Sequence, residues 1–446
     1  MPNFTSRQSI GASIFGPIVV DALVRLEHRL QILADKKSVV LFCARGGLVL
    51  QDLLRRIGRR IPRRIEFPAR SLMVSRIAAA RYALVRNPAA VASIIESELN
   101  DQTCHHGAIA FSGPKNRRWL DESGVARDHG WDQLFTVDRF LSLLGRDAIG
   151  RRIRDGIEQQ AFLFGSHFEH QVRDAERIIL CDTGVFGSTA RYLSAAQNTH
   201  FEWRCLMLVR ANYKRLACPH FDFTEGIICE RDRYDPKCPE SAMLMYWPCI
   251  EAMLEPDLPS VEWFLEEADG RIVSNLEIEC NKPGGWNARL VPCADSLRAG
   301  IIDYIETLTP SGLSGIRSEA EEAFRVFRRM IVRPTRRDVE MLAVGTRPLG
   351  FGSNEAATFS PESLNGGTLF ERFGRIRQSM WPEGELRRQL PVLATPLLEV
   401  AEWGRLLGSL LQMDRGANAN RNDSSSVHST GTNAVSMSDN PAIPSR

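Results

Sequence analysis

Several chemical signatures are missing from this 446-residue sequence, and each absence narrows its function. None of its ten cysteines forms a C-x-x-C pair, which argues against a zinc ribbon. The formal net charge is only +2, so bulk electrostatics give no case for nucleic acid as a partner. No uninterrupted apolar run reaches the ~20 residues of a membrane span. Met1 to Ser9 lacks the basic-then-apolar pattern of a signal peptide. Neither the phosphate-binding G-x-x-x-x-G-K-[ST] loop nor the dinucleotide fingerprint G-x-G-x-x-G is present. The G-x-S-x-G elbow of α/β-hydrolases is also absent.

What remains is a chain of ordinary globular composition, 43% hydrophobic and 25% charged. Cys43, Cys181 and Cys205 lie inside apolar runs, where a reduced cysteine behaves as a small hydrophobe. This usage fits a reducing, cytoplasmic compartment and is compatible with a peripheral position at the inner membrane surface.

Strands and helices alternate along the first half. Ser38 to Ala44 is a continuous apolar run, as expected of a central parallel strand covered on both faces. It ends at Arg45-Gly46-Gly47, and a helix follows over roughly Leu48 to Ile57. Ile65 to Val74 reads as a second strand and Ile77 to Leu99 as one Ala-rich helix. Arg177 to Cys181 reads as a buried strand, Asp182 to Ser188 as a turn, Thr189 to Ala196 as a helix and Trp203 to Val209 as a strand. This order predicts an α/β fold with a parallel sheet flanked by helices. Cys218 to Cys249 reads as two or three irregular strands. Ala294 to Thr307, Arg317 to Met330, Leu369 to Met380 and Leu397 to Leu411 read as helices. The expected organisation is an α/β core over 1–215, a mixed α/β extension over 216–310, an additional mainly helical region over 311–413 and a disordered tail over 414–446.

Two turns carry candidate chemistry. Asp182-Thr183-Gly184-Val185-Phe186-Gly187-Ser188-Thr189 leaves a strand at the edge where open α/β sheets bind ligands. Gly184 and Gly187 let the backbone fold tightly and bring several N–H groups to one point. Ser188 and Thr189 add hydroxyls, and the following helix adds its positive end. Asp182 is placed to accept from sugar hydroxyls or to hold a metal. In the second turn, Gly46 and Gly47 free the backbone to approach an anion, and Arg45 supplies a donor fork for diphosphate oxygens. For each turn the competing reading is a strand-to-helix turn that is glycine-rich for packing alone.

These two turns resemble those of the phosphoribosyltransferase superfamily. The resemblance places Arg45, Gly46 and Gly47 at the pyrophosphate of phosphoribosyl pyrophosphate and Asp182 at the ribose hydroxyls. It places Thr183, Gly184, Gly187, Ser188 and Thr189 at the 5-phosphate. Cys181 stands where that superfamily has the first of two adjacent acids. A closer resemblance runs from Gly16-Pro17 through Val74-Ser75-Arg76 and past Glu251 to about Leu308. Over that span the chain is similar to the glycan phosphoribosyltransferase regions that follow haloacid-dehalogenase-type phosphatases in bacterial polysaccharide loci. Many of those read Ala-Arg-Asp-Gly at the first turn. The resemblance implies transfer of a 5-phosphoribosyl group to a glycan or lipid-linked glycan acceptor, with Mg²⁺ as cofactor. A separate phosphatase would then act, since no D-x-D-x-T motif occurs at the N-terminus. Arg45 would stabilise the leaving diphosphate, Arg76 would be a second phosphate contact, and Asp182 or Glu251 would be the base. The rival expectations are a catalytically degenerate protein with a binding role, suggested by Cys181, and a phosphohydrolase.

Other polar groups read more simply. His105-His106 and His167/His170 lack a third metal ligand. Arg55, Arg56, Arg59, Arg60, Arg63, Arg64 and Arg70 read as a solvated face or a positive rim, and Lys115, Arg117 and Arg118 as a basic loop.

Overall fold

Five strands assemble into one all-parallel sheet. The computed structural model describes residues 4–61, 69–123, 130–197, 201–256, 258–281, 290–342, 346–348, 351, 356–358 and 367–409. The strands are β1 (Ser38–Cys43), β2 (Ala69–Leu72), β3 (Arg177–Asp182), β4 (Glu202–Arg210) and β5 (Thr224–Glu230), in the order β2-β1-β3-β4-β5. Every residue of β1 is buried, which is why that run reads as continuously apolar rather than alternating. Its side chains still alternate between two cores. Val39, Leu41 and Cys43 face one, and Val40 and Phe42 face the other. The fold is thus α/β, with helices on both faces of the sheet.

One helical layer lies between β2 and β3 in sequence. It contains Arg76–Arg86, Pro88–Glu98, Cys104–Phe111, Val137–Arg146 and Ala148–Gln171. The single helix expected over Ile77 to Leu99 is two helices. Pro88 sits in the first turn of the second, and its ring biases Asn87 away from helical geometry, which breaks the run there.

The opposite layer combines both ends of the chain. The helix over Arg7–Leu33 crosses Leu297–Thr307 so closely that a Cβ on Gly11 would lie 2.1 Å from the Leu297 carbonyl oxygen. Arg317, on the helix Ile316–Val332, pairs with buried Asp21 at 3.1 Å. Arg7–Leu33 is long and apolar enough to cross a membrane, although its polar residues keep it from reading as an uninterrupted run. In this fold 72% of its most apolar window is buried against other helices.

The stretch Cys218 to Cys249 differs from the strands expected of it. It holds one strand, β5, between two short 3₁₀ turns, Pro219–Phe223 and Pro239–Ala242, and then the start of the helix Met243–Leu254. β5 pairs with β4, so the sheet continues past residue 215. A small antiparallel hairpin, Phe264–Glu266 with Ile272–Ser274, follows. Beyond residue 311 the described residues are mainly helical, including Pro382–Gln389 and residues 394–409. Fully buried Trp381 anchors this region: its ring meets Tyr246 at 5.2 Å, and its indole N–H donates to Ile331 O at 2.9 Å. The expected tail, 414–446, lies outside the described residues.

Candidate functional site

In this strand order the chain turns one way from β1 to β2 and the other way from β3 to β4. Open α/β sheets bind ligands at such a switch point, outside the strand C-termini. A cavity of about 610 Å³ lies there, with both candidate turns in its wall. Of the residues anticipated from sequence, Arg45, Gly46, Arg76, Asp182, Thr183, Gly184, Gly187, Ser188, Thr189 and Glu251 all line it.

The two turns interlock. A Cβ on Gly46 would fall 2.6 Å from Thr183 Cγ2, so glycine lets the loops touch here without displacing the Thr183 side chain. Gly47 lies outside the lining. Its Cα faces the Cys181 carbonyl, where a Cβ would come within 2.8 Å, so Gly47 serves packing. The Ala44–Arg45 peptide bond is cis.

The β3 turn is shaped by positive φ at Gly184 (49°) and Gly187 (74°). Gly187 is the N-cap of the helix Ser188–Ala196, and no side chain caps that end. The first N–H of the helix to bond back is Arg191, to Gly187 O, so the first-turn N–H groups are available to an anion. His220 supports the turn from below, donating from Nε2 to Phe186 O at 2.6 Å. Burial pulls its pKa down to about 4, which keeps the ring neutral.

Charge is unevenly spread through the cavity. Burial, aided by the Glu251 carboxylate, pushes Asp182 up to about 6, although its Oδ1 accepts the Thr183 N–H at 2.7 Å. Arg45 is engaged by Glu255 at 2.8 Å and donates to Leu258 O at 2.9 Å. Arg76 stands at the cavity wall with 45% of its side chain exposed and pairs with Glu98 at 3.2 Å. Cys181 is fully buried, and burial raises its thiol well above the ordinary range, so it supplies no second charge beside Asp182.

Asp182, Glu251 and Glu255 offer hard oxygen donors of the kind Mg²⁺ prefers. Among the described residues no group of three or more His, Cys, Asp or Glu converges on one point. The set suits a magnesium bound through one or two carboxylates, with water and phosphate oxygens as its other ligands.

Sequence reasoning missed Glu255, Glu98, Lys214, Tyr213 and Trp247. Glu255 and Trp247 had a signal: each is four residues from Glu251, Trp247 within the helix Met243–Leu254 and Glu255 at its C-cap. Glu98, Tyr213 and Lys214 come from distant segments and carried none. The remaining polar groups lie elsewhere. His167 is buried against Phe264 and bonded to Ile272 O, as a packed histidine. Arg56 pairs with Asp52, while Arg63 and Arg64 lie outside the described residues. Lys115, Arg117 and Arg118, expected in a loop, belong to the helix Pro114–Ser123, where Arg117 pairs with Glu262. No protein-family model matches this chain, and no curated protein matches it in sequence.

Proposed function

We propose that this protein is a phosphoribosyltransferase that moves the 5-phosphoribosyl group of phosphoribosyl pyrophosphate to a glycan acceptor in bacterial surface polysaccharide synthesis. One observation carries the reading: the Arg45-Gly46 turn and the Asp182–Thr189 turn, 137 residues apart (45 to 182), meet in one cavity at the sheet's switch point. Their chemistry is divided as such a substrate requires. The backbone nest, with the Ser188 N–H in it, and the Thr189 hydroxyl receive the 5-phosphate. Asp182 accepts from the ribose hydroxyls, and Arg45 turns from Glu255 to the diphosphate. Tyr213, Tyr234 and Trp247 line the cavity as well and suit the apolar face of an acceptor sugar.

In the reaction the acceptor oxygen bonds to C1 of the ribose as the C1–O bond to pyrophosphate breaks. Glu251 takes the acceptor proton, and Arg45 receives the charge that develops on the leaving oxygen. Asp182 would hold a magnesium ion, which would supply further neutralisation of the diphosphate.

A second reading, a binding protein on the same fold, is favoured by Cys181, which leaves one carboxylate where the superfamily has two. Phosphorus NMR separates them. Pyrophosphate release that requires both an acceptor glycan and Mg²⁺, and that Glu251→Gln abolishes, supports the transferase. Phosphoribosyl pyrophosphate that binds but stays intact with lipid-linked and free glycans favours the binding protein.

A further inference from the structure

Behind the phosphate-cradling turn lies a buried carboxylate that the reaction itself does not use. Glu98 closes the helix Pro88–Glu98, and only 7% of its side chain is exposed. It meets groups from three segments that leave the sheet's C-terminal edge. Arg76 NH1, past β2, lies at 3.2 Å. Ser188 Oγ, past β3, donates at 3.2 Å. Lys214 Nζ, past β4, lies at 2.6 Å and is equally buried. Two of these residues, Arg76 and Ser188, line the cavity, as does Tyr213 beside Lys214. Phe186 links the same loops: its ring packs edge-on against Tyr213 at 5.9 Å, with Lys214 Nζ 5.3 Å from its centroid.

We infer that Glu98 is the positioning residue of the phosphate subsite, holding Arg76, Ser188 and the Tyr213–Lys214 segment where a phosphate monoester meets them together. The inference rests on the reading of the Gly184–Thr189 turn as a phosphate cradle, and it adds the residue that aims the side chains around it. The charges agree with this role. One carboxylate faces two cations, which leaves the cluster at +1 beside a helix N-terminus, and a phosphate complements that sum. Although burial opposes its ionisation, Arg76 and Lys214 hold Glu98 below the ordinary carboxylate range, so it stays charged at neutral pH.

The sign of one substitution separates positioning from simple charge. Glu98→Gln raises the net charge near the subsite by one, so electrostatics alone predicts tighter anion binding. Positioning predicts weaker binding, because Arg76 and Lys214 lose their common anchor. The probe is ribose 5-phosphate, titrated calorimetrically against the full chain, with thermal unfolding run beside each variant. Glu98→Gln is expected to bind about tenfold more weakly, and to add less than this in an Arg76→Met background. Glu98→Asp, which keeps the charge but shortens the reach, is expected to weaken binding about threefold. This second variant serves if Glu98→Gln does not fold. Unchanged or tighter binding by a folded Glu98 variant overturns the inference, as do fully additive effects with Arg76→Met or no ribose 5-phosphate binding by wild type. The transferase reading fails separately. Ribose 5-phosphate binding with these couplings but without turnover leaves Glu98's role standing, and turnover that Glu98→Gln leaves intact removes that role alone.

Discussion

The β1 and β3 turns begin from the same architecture, a buried strand that runs through glycines into a helix, and they end as different instruments. In the β1 turn the glycines serve contact: Gly46 meets Thr183 and Gly47 meets the Cys181 carbonyl. Its one charged group, Arg45, is already engaged by Glu255. In the β3 turn the glycines serve conformation, with positive φ at both, and the helix end they open has no side-chain cap. The first turn thus presents a side chain that can change partners, and the second a rigid backbone cradle. Glycine content alone does not distinguish these roles. What lies behind each glycine does.

The largest expected difference is in stability. Gly184→Val forces a branched side chain onto φ 49°, with its Cβ 2.0 Å from Met207 Sδ, and should cost about 3 kcal/mol or more. Gly46→Ala meets only the Thr183 side chain and should cost about 1 kcal/mol. Urea denaturation measures both, and equal costs would erase the distinction between the turns.

Next comes Asp182. Burial raises its pKa to about 6, above the ordinary aspartate value of 3.8, so the folded protein holds the proton more tightly than the unfolded chain does. Its ionisation therefore costs stability progressively as pH rises from about 4 through 6. Asp182→Asn should stabilise the protein by about 2 kcal/mol at pH 8 and not at pH 4. A pH-independent difference in unfolding free energy would contradict that origin.

A smaller effect sharpens the division of ligand contacts. Arg45→Met should weaken phosphoribosyl pyrophosphate binding about tenfold while changing ribose 5-phosphate binding less than about twofold. Equal losses for both ligands would mean that Arg45 does not read the diphosphate. The smallest effect is the mirror of this one. Glu255→Gln releases Arg45 and should tighten phosphoribosyl pyrophosphate binding about twofold in low salt, as expected for a partly exposed ion pair. Weaker binding would show that Glu255 aims Arg45 rather than competing for it.

The parts of this site legible in the sequence were those written locally. β1 and β3 have unbroken apolar interiors, Val39 to Cys43 and Ile178 to Cys181, and each hands its chain to glycines within a few residues, so both turns could be located from the residues alone. The edge strand β5 was obscure because half-buried Glu225 and Gly226 and exposed Glu230 break its pattern. The helix Met243–Leu254 was obscure for the opposite reason: it is apolar on nearly every side and carries an internal proline. The charge partners were illegible in principle. Arg45 and Glu255 are 210 residues apart, and Glu98 reads in sequence as the polar end of an Ala-rich helix. Only the sheet order brings these segments together.

The central claim is that the cavity between the two turns receives a phosphorylated sugar, and calorimetric titration of phosphoribosyl pyrophosphate in the presence of Mg²⁺ tests it most directly. The account predicts micromolar-range binding by wild type, lost in Asp182→Ala and in Gly187→Trp, whose side chain would press on His220 beneath the turn and distort the cradle. A folded wild-type protein that gives no binding signal, or variants that bind as wild type does, would contradict it.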